Sequence, residues 1–344
     1  MPNRLNKKKA LKLLQTASLL ELGRRADEVR WRLHPRREVS FVIDRNINYT
    51  NLCVSRCRFC AFSRPPHHPE GYVLSRAQIF QKIEELLDQE GTQILLQGGL
   101  NPALGLPWFE DLFRAIKKNY PIHIHGLSPP EIFFLAQKEK VSIREVLRRL
   151  KAAGLDSIPG GGAEILVERV RQKLSPRKVS AAGWLKVMEE AHQLGLKSSA
   201  TMMFGSIETD AEIIEHLDRV RRLQDKTNGF IAFIPWSFQP SNTALHHLKP
   251  ASGVRYLRVL AMARIFLDNV PNLQASWVTQ GPKLGQVALF FGANDFGSTM
   301  LEENVVRAAG AAHRVSLEEA VRIIRSAGFT PVQRNQQYQI LKRF

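Results

Sequence analysis

The chain has 344 residues, of which 44% are hydrophobic and 24% are charged, and this composition is typical of a globular protein with a sizeable core. No run of about 18 apolar residues occurs, which excludes a membrane-spanning helix. The formal net charge of +17 favours solvated helix faces over a nucleic-acid site, because the excess of Lys and Arg is scattered over many predicted helices.

The N-terminal part of the chain is its most basic part. Residues 1–40 contain eleven Lys or Arg against four Asp or Glu. The stretch 1–14 lacks the continuous apolar segment of a signal peptide, and no disulfide is expected because all cysteines lie together. We therefore expect a cytoplasmic protein. Anionic small molecules, weak contact with a membrane surface and a negatively charged electron donor stay open as partners of the basic charge.

Helical and strand patterns alternate along the chain. A lead-in helix is predicted at 7–25, where apolar residues recur with the helical period. Strands are predicted at 38–47, 92–97, 122–126, 155–158, 198–204, 230–235, 273–278 and 287–291. The other helices are predicted at 75–90 with Ser75 as N-cap, 108–119, 130–138, 143–153, 163–173, 181–194, 211–225, 253–267 and 298–309.

Eight short apolar strands separated by helices predict an α/β fold with a parallel sheet closed into a (β/α)8 TIM-type barrel. An open six-stranded partial barrel is the alternative. We expect an N-terminal helical extension at 1–39, the barrel at 40–310 and a C-terminal helical cap at 311–344, with a helix, a turn at Gly328 and a short tail. Active sites of such barrels lie on the loops that follow the strands.

All three cysteines, Cys53, Cys57 and Cys60, lie within eight residues directly after the first predicted strand. Their C-x3-C-x2-C spacing lets one loop bring three sulfurs to one inorganic centre. Four thiolates normally hold a four-iron cluster, so three would leave one iron open for a substrate or cofactor. Two other interpretations stay open: a structural zinc site completed by His67 or His68, and three buried free cysteines.

This spacing, with Phe59 before the third cysteine, resembles the radical S-adenosylmethionine (SAM) superfamily. The resemblance implies that Cys53, Cys57 and Cys60 hold a [4Fe-4S] cluster, that SAM chelates the fourth iron, and that Phe59 lies beside the adenine. It also implies that an electron from the cluster cleaves SAM to methionine and a 5′-deoxyadenosyl radical.

Two groups of residues after predicted strands are candidates for SAM binding. Gln97, Gly98 and Gly99 follow the second strand. In the superfamily, a glycine pair at this place lets backbone groups approach the amino acid part of SAM, because glycine has no Cβ. The run 159–162 (PGGG) follows the fourth strand, and Glu164 after it would accept hydrogen bonds from the ribose hydroxyls or would only complement a helix dipole.

Two basic residues are candidates for the carboxylate of SAM. They are Arg177 and Lys178, although exposed basic side chains are usually only solvated.

Polar residues at the ends of later strands are candidates for catalysis. His125 ends the third strand, where a satisfied core histidine is the competing interpretation. Asp295 lies between glycines after the eighth strand and would accept a proton or bind a substrate hydroxyl, or would only cap a helix. Thr299, Glu302 and Lys283 complete the candidate set.

Longer stretches resemble one family within the superfamily, that of cyclic dehypoxanthinyl futalosine synthase. They are spread over most of 40–310, at 48–64, 97–100, 127–131 (LSPPE), 153–164, 201–205, 233–236, 274–283 (QASWVTQGPK) and 292–304. The family acts in menaquinone biosynthesis by the futalosine route.

The resemblance implies a radical cyclisation of dehypoxanthine futalosine. The 5′-deoxyadenosyl radical takes hydrogen from C4′ of the ribose, the carbon radical closes a ring on the benzoate, and loss of an electron and a proton restores aromaticity. The implied partners are this small molecule and an electron donor such as flavodoxin or ferredoxin, with no nucleic acid. Positioning and exclusion of water are what the protein supplies.

Two alternatives remain. One is aminofutalosine synthase, which shares the cysteine loop, and the other is a basic zinc-containing nucleic-acid-binding protein. The stretches 274–283 and 292–304 fit the cyclase better, and eight strand and helix units exceed what a small binding module needs.

Overall fold

The computed structural model describes residues 4–344 as alternating helices and strands. The strands are β1 (Glu38–Val42), β2 (Asp44–Ile47), β3 (Gln93–Leu96), β4 (His123–Gly126), β5 (Ser157–Ile158), β6 (Lys197–Phe204), β7 (Phe230–Ser237), β8 (Asn272–Leu273), β9 (Asp295–Ser298), β10 (Thr330–Arg334) and β11 (Ile340–Arg343). The helices are α1 (Lys7–Thr16), α2 (Leu19–Leu33), α3 (Arg76–Leu87), α4 (Leu106–Asn119), α5 (Pro129–Glu139), α6 (Ile143–Ala153), α7 (Glu168–Leu174), α8 (Ala181–Gln193), α9 (Asp210–Thr227), α10 (Gly253–Phe266), α11 (Trp277–Gln280), α12 (Pro282–Ala288), α13 (Val305–Ala308) and α14 (Leu317–Ser326).

The predicted barrel is confirmed. Seven strands, β2 to β8, pair in chain order, and every pair is parallel. A bridge between Gln274 and Asp295 joins the end of β8 to β9. Strand β9 pairs in parallel with β1, which leads directly into β2, so the ring has eight positions. Parallel strands of this kind place the loops at their carboxyl ends around one mouth.

The eighth strand is not where the sequence predicted it. The stretch 287–291 forms the end of α12 and the turn after it, with Val287 and Phe290 exposed and Ala288 and Leu289 buried. Two adjacent buried residues between two exposed ones are typical of a helix, whereas in a strand buried and exposed residues alternate one by one. The strand is instead Asp295–Ser298, whose polar residues are buried because they have partners inside the barrel.

Several predicted elements differ in extent from the observed ones. The helix predicted at 298–309 is reduced to Val305–Ala308, the one at 163–173 begins only at Glu168, and the strand at 273–278 ends at Leu273. The lead-in helix is two helices, because Ser18 caps α2 by accepting a hydrogen bond from the Glu21 N–H at 3.1 Å.

The predicted N-cap of the helix after the cysteine loop is confirmed. Ser75 accepts a hydrogen bond from the Gln78 N–H, and the Gln78 side chain accepts one from the Ser75 N–H at 2.8 Å. This reciprocal pair is a capping box, which satisfies two backbone donors at the first turn. No helix within residues 4–344 is long and apolar enough to cross a membrane.

The C-terminal segment extends the barrel wall. The helix α14 and the turn at Gly328 lie where they were predicted, but the stretch expected as a short tail forms two strands. Strand β10 pairs in parallel with β1, and β11 folds back against β10. The domain boundaries at residues 39 and 310 stay predictions.

Candidate functional site

The cysteine loop leaves the carboxyl end of β2 and faces a cavity of about 400 Å³ inside the barrel, which Cys53, Cys57 and Cys60 all line. The loop is fixed by backbone hydrogen bonds. The Cys53 N–H donates to the Arg64 carbonyl at 2.8 Å, and the Arg58 N–H donates to the Leu174 carbonyl at 2.8 Å. The protein therefore presents three sulfurs to one enclosed space at the mouth of the barrel.

Burial affects the thiols of Cys53 and Cys57. Burial raises the pKa of Cys53 and raises the pKa of Cys57 to about 11, while the nearby Lys178 ammonium opposes the shift at both sites. The Ser55 hydroxyl lies 3.2 Å from the Cys57 Sγ. Because thiolates and not thiols bind metals, assembly of an inorganic centre here would release protons.

A zinc site at the three cysteines would lack a fourth ligand from His67 or His68. Neither His67 nor His68 lines the cavity, and the His68 Nδ1 accepts a hydrogen bond from the Glu70 N–H. In residues 4–344 no group of three or more His, Cys, Asp and Glu side chains surrounds a point that could hold a single metal ion. Three cysteines facing one roomy cavity suit a larger inorganic group.

The glycine pair after β3 packs directly beneath the cysteine loop. A Cβ on Gly99 would lie 2.2 Å from the Leu52 carbonyl oxygen and 2.9 Å from the Cys53 Cβ, and one on Gly98 would lie 2.6 Å from the Tyr49 ring. Gln97, Gly98 and Gly99 all line the cavity. The close approach that requires glycine is thus to the protein's own loop.

One wall of the cavity carries a buried ion-pair network. Lys178 Nζ lies 2.9 Å from Glu164 Oε1, and the Arg171 guanidinium lies 3.5 Å from Glu164 Oε2. The neighbouring carboxylate raises the pKa of Lys178 against the cost of burial. Lys178 Nζ is also 5.3 Å from the centroid of the Phe59 ring. Arg177 is exposed and does not line the cavity, so the two predicted basic residues are separated.

Deeper in the barrel, His125 belongs to a chain of hydrogen bonds. Its Nδ1 lies 2.7 Å from the Ser157 hydroxyl, which is also 2.7 Å from His123 Nε2, and its Nε2 lies 3.2 Å from the Gln336 amide nitrogen. Burial holds the pKa of His125 well below 6.5. The ring is therefore neutral near pH 7, with Nε2 accepting from the Gln336 amide and Nδ1–H donating to Ser157.

The structure does not place Asp295 on the cavity surface. Its carboxylate is fully buried, receives two hydrogen bonds from Arg334 at 2.5 Å and 3.0 Å, and accepts one from the Ser40 hydroxyl at 2.5 Å and one from the Gly297 N–H at 2.9 Å. All of these donors converge on one carboxylate, which leaves it no open side. Its partner Arg334 lines the cavity instead.

The other predicted catalytic residues also lie outside the cavity. Thr299 is buried but does not line it, and Lys283 is exposed on α12. Glu302 lines a neighbouring groove, where Arg45 Nε and Lys82 Nζ each lie 2.7 Å from it. Of the predicted catalytic set, only His125 faces the cavity.

Two family models together match most of this chain. The Radical SAM superfamily model matches residues 47–220, and the CofH/MqnC C-terminal region matches residues 227–343. Two curated proteins named cyclic dehypoxanthine futalosine synthase, from Halalkalibacterium halodurans and Streptomyces coelicolor, are each 46% identical over 342 residues, which cover 99% and 98% of this chain and 92% and 86% of the relatives. This chain belongs to the radical SAM superfamily.

Other relatives carry a different name. A 5-amino-6-(D-ribitylamino)uracil–L-tyrosine 4-hydroxyphenyl transferase from Methanopyrus kandleri is 44% identical over 88% of this chain and 85% of its own length.

Among solved structures, methylornithine synthase has a TM-score of 0.74 at 19% identity and covers 96% of this chain and 95% of its own. The [FeFe]-hydrogenase maturase HydG has a TM-score of 0.76 at 15% identity, covering 96% of this chain and 72% of its own. These likenesses show the fold.

The cofactors of this radical SAM chain are a [4Fe-4S] cluster and SAM. The residues present fit them, because three partly exposed cysteines and Phe59 line the same cavity with a glycine-rich wall. Gly160 in that wall is fixed by the Thr201 hydroxyl, which donates to its carbonyl at 2.6 Å, and a Cβ there would lie 2.7 Å from the Ala200 Cα.

Several cavity residues were not predicted as site residues. Glu131 is buried and accepts hydrogen bonds from the Tyr49 hydroxyl at 2.7 Å and the Gly98 N–H at 3.0 Å, and burial raises its pKa. Asp44, whose pKa burial also raises, accepts hydrogen bonds from Ser298 and from Gln93 at 3.0 Å. The spacing of Ser128 and Glu131 is that of a capping box and is the one sequence signal that points to Glu131, whereas no sequence signal points to Asp44.

Proposed function

We propose that this protein cyclises dehypoxanthine futalosine to cyclic dehypoxanthine futalosine in menaquinone biosynthesis. When bound in the cavity, the cluster and SAM would supply a 5′-deoxyadenosyl radical that removes hydrogen from C4′ of the substrate ribose. The observation that carries the proposal is a cavity lined by Cys53, Cys57 and Cys60 in a chain 46% identical, over nearly its full length, to synthases named for this reaction.

The protein's part in this chemistry is to hold two ligands in one enclosed space. The cavity runs from the cysteine loop at the mouth to His125 and Arg334 within the barrel. A carbon radical must meet the benzoate ring before it meets water or another hydrogen donor, so an enclosed and ordered cavity serves the reaction. The residues nearest the cysteines would contact SAM, and those deeper in the barrel would contact the substrate.

Roles for the predicted SAM residues follow from this arrangement. Phe59 would lie against the adenine, and Glu164 would exchange its contact with Lys178 for hydrogen bonds to the ribose hydroxyls. Lys178 would then be free to pair with the carboxylate of SAM, which replaces the charge of Glu164. Gln97, Gly98 and Gly99 would present backbone groups to the amino acid part of SAM.

Roles for the predicted catalytic residues change. His125, whose two ring nitrogens bond Ser157 and Gln336, would position the Gln336 side chain at the cavity. Asp295 would act through Arg334, whose guanidinium it holds against the cavity. Thr299 and Glu302 would support the loop after β9 and not touch the substrate. Four carboxyl side chains line the cavity, those of Asp44, Glu131, Glu164 and Glu303, and Asp44 is our candidate among them to take the final proton.

A second function has support from one comparison. The transferase from Methanopyrus kandleri is 44% identical, which is nearly the identity of the two synthases. Both reactions would use the same cysteine loop, so the substrate decides between them. The two synthases match over 99% and 98% of this chain and this transferase over 88%, which favours the cyclisation.

The deciding experiment is an anaerobic assay of the reconstituted holoenzyme with dithionite and SAM. One sample receives dehypoxanthine futalosine, and the other receives tyrosine with 5-amino-6-(D-ribitylamino)uracil. Mass spectrometry should find 5′-deoxyadenosine and a product two hydrogens lighter than the substrate only in the first sample. Product only in the second sample would overturn the proposal in favour of the transferase.

The partners and location follow the same proposal. A flavodoxin or ferredoxin would supply the electron, since Arg56 and Arg58 are exposed on the cysteine loop and suit an acidic protein. The reaction would take place in the cytoplasm, where the expected thiol chemistry is favoured.

A further inference from the structure

The C-terminal segment enters the barrel from the end opposite the cysteine loop. Strand β10 runs parallel to β1, with Thr330 beside Glu38 and Gln333 beside Phe41, so it ends level with the middle of the barrel wall. The chain then turns at residues 335–339 and returns as β11, antiparallel to β10. This turn forms the floor of the cavity, since Arg334, Gln336 and Tyr338 line the same space as the cysteines.

The turn is built around one side chain. Asn335 Oδ1 accepts hydrogen bonds from the N–H groups of Gln337 and Gln339, both at 3.0 Å, and its Nδ2 donates to the Gln339 side chain at 2.8 Å. The Tyr338 N–H donates to the Asn335 carbonyl at 3.1 Å, and Tyr338 has a φ of 61°. A tyrosine in the left-handed region costs conformational energy, which the hydrogen bonds of the turn offset.

Two more contacts fix the turn to the barrel. Arg334 binds Asp295 on β9 with two hydrogen bonds, and the Gln336 amide bonds His125 on β4 at 3.2 Å. The Arg334 guanidinium carbon also lies 3.9 Å from the centroid of the Tyr338 ring. The turn is therefore bonded to β9 through Arg334 and to β4 through Gln336.

The hydroxyl of Tyr338 is the exception in this satisfied network. It is buried and has no hydrogen-bond partner among residues 4–344. The other cavity-lining residue with such an atom is Gln93, whose Oε1 is buried without a partner while its amide nitrogen donates to Asp44. A buried polar atom without a partner costs free energy that a ligand can recover.

The two atoms have complementary chemistry. Burial raises the pKa of Tyr338, so its O–H stays protonated and acts as a donor. The Gln93 oxygen can only accept. A ligand at this end of the cavity therefore needs an acceptor oxygen, such as a carbonyl or carboxylate, and a hydroxyl. The proposed substrate has hydroxyls and a benzoate carboxylate.

We propose that Tyr338 is a substrate-binding residue whose O–H donates a hydrogen bond to an acceptor oxygen of the substrate. The turn around Asn335 thus completes the substrate site from the far end of the chain. This inference rests on the proposed cyclisation, because the substrate is the ligand that the hydroxyl would bind.

The test compares Tyr338→Phe with Tyr120→Phe in the reconstituted holoenzyme. Tyr120 is the matched control, because its hydroxyl bonds Glu84 on the outer surface at 2.5 Å. Calorimetry measures binding of dehypoxanthine futalosine to the unreduced holoenzyme with SAM, and kinetics give KM and the ratio of 5′-deoxyadenosine to cyclised product. Tyr338→Phe should raise Kd and KM about tenfold and raise the ratio, with iron content and SAM affinity unchanged.

Each other outcome overturns the inference in a recognisable way. If Tyr338→Phe matches Tyr120→Phe in Kd and KM while the wild type cyclises its substrate, the inference fails and the proposed function stands. If SAM affinity falls together with substrate affinity, the hydroxyl has a structural role and the inference is wrong. If the wild type cleaves SAM without cyclising the substrate, the proposed function fails first, and the inference fails with it.

Discussion

Arg334 and Asp295 form a buried, two-point ion pair that joins the C-terminal segment to the last strand of the barrel. Arg334 Nε lies 2.5 Å from Asp295 Oδ2, and Arg334 Nη2 lies 3.0 Å from Asp295 Oδ1. Neither side chain is more than 3% exposed. Fork-shaped contacts of this kind are strong and directional. The carboxylate that the sequence marked as a catalytic base thus holds the floor of the cavity.

Breaking this pair should destabilise the protein. Asp295→Asn keeps the shape of the side chain but leaves the Arg334 charge buried without its counter-ion. We expect the free energy of unfolding to fall by about 3 kcal/mol, since removing one partner of a buried pair costs more than the pair contributes. Urea-induced unfolding followed by circular dichroism measures this.

Asp111→Asn is the control for that change. Asp111 pairs with Arg114 on the outer surface, and both side chains are more than half exposed. Its loss should change the free energy of unfolding by less than about 1 kcal/mol. Equal effects of the two substitutions would contradict the role given to the buried pair.

Cys57→Ala should abolish cluster assembly while the fold is retained. The three cysteines line one cavity, and none has another cysteine to replace it. Reconstitution should leave the variant without the broad visible absorption of an iron-sulfur protein and with little bound iron, whereas Thr16→Ala, on the outer surface, should bind iron like the wild type. A full iron content in Cys57→Ala would contradict the cluster assignment.

Gly99→Ala should disturb the cysteine loop without touching a cysteine. Its new Cβ would lie 2.2 Å from the Leu52 carbonyl oxygen, so the backbone of one of the two loops must move. We expect reduced iron content and at least a tenfold slower SAM cleavage, because misplacing a reacting group by about 1 Å costs that much or more. Gly253→Ala is the control, since its Cβ would meet only a flexible Leu284 side chain. Unchanged SAM cleavage in Gly99→Ala would show that the loop tolerates the shift.

Buried His216 should make the protein less stable in acid. Burial lowers its pKa from 6.5 to about 3, so below pH 6.5 the unfolded chain binds a proton that the folded chain does not. The free energy of unfolding therefore falls as the pH falls, by about 2 kcal/mol between pH 7 and pH 5 for this residue. In His216→Gln the fall over this interval should be smaller by that amount, and in Gln172→Ala, which changes an exposed side chain without a titratable group, it should equal that of the wild type. Parallel curves for all three proteins would contradict this source of acid sensitivity.

Much of the fold could be predicted because strands and helices that pack on one core have regular apolar spacing. A short stretch of sequence is enough to recognise the buried Ile94 and Leu96 of β3 or the N-cap at Ser75. The eighth strand could not be predicted, because Asp295 looks like a loop residue until Arg334, 39 residues later, is folded against it. Long-range partners of this kind leave no local pattern.

Long-range contacts also explain which residues of the site could be predicted from the sequence and which could not. The cysteine loop was predicted because its spacing alone carries the chemistry. Asp44, Gln336 and Tyr338 were missed because they come from an early strand and the C-terminal turn, and only the parallel pairing of β10 with β1 brings them to one cavity. Arg177 and Lys178 are adjacent in sequence, yet only a structure can tell which of them points inward.

That difference gives the last prediction, which concerns SAM binding. Of the two neighbouring basic residues, Lys178 lines the cavity and Arg177 does not. Lys178→Met therefore removes a charge from the cavity wall, whereas Arg177→Met changes an exposed side chain. If Lys178 pairs with the carboxylate of SAM, its loss should raise the Kd of the holoenzyme for SAM at least tenfold, which corresponds to about 1.4 kcal/mol or more.

The Kd for SAM of Arg177→Met should stay within a factor of about two, as expected for a solvated charge. Equilibrium dialysis with labelled SAM measures both values, and iron content shows that the cluster is present. Because Lys178 also neutralises Glu164, the double variant Lys178→Met with Glu164→Gln separates the two roles. An equal Kd for SAM in the double variant and in Glu164→Gln alone would mean that Lys178 only balances the buried carboxylate, and a higher Kd in the double variant means that Lys178 binds SAM.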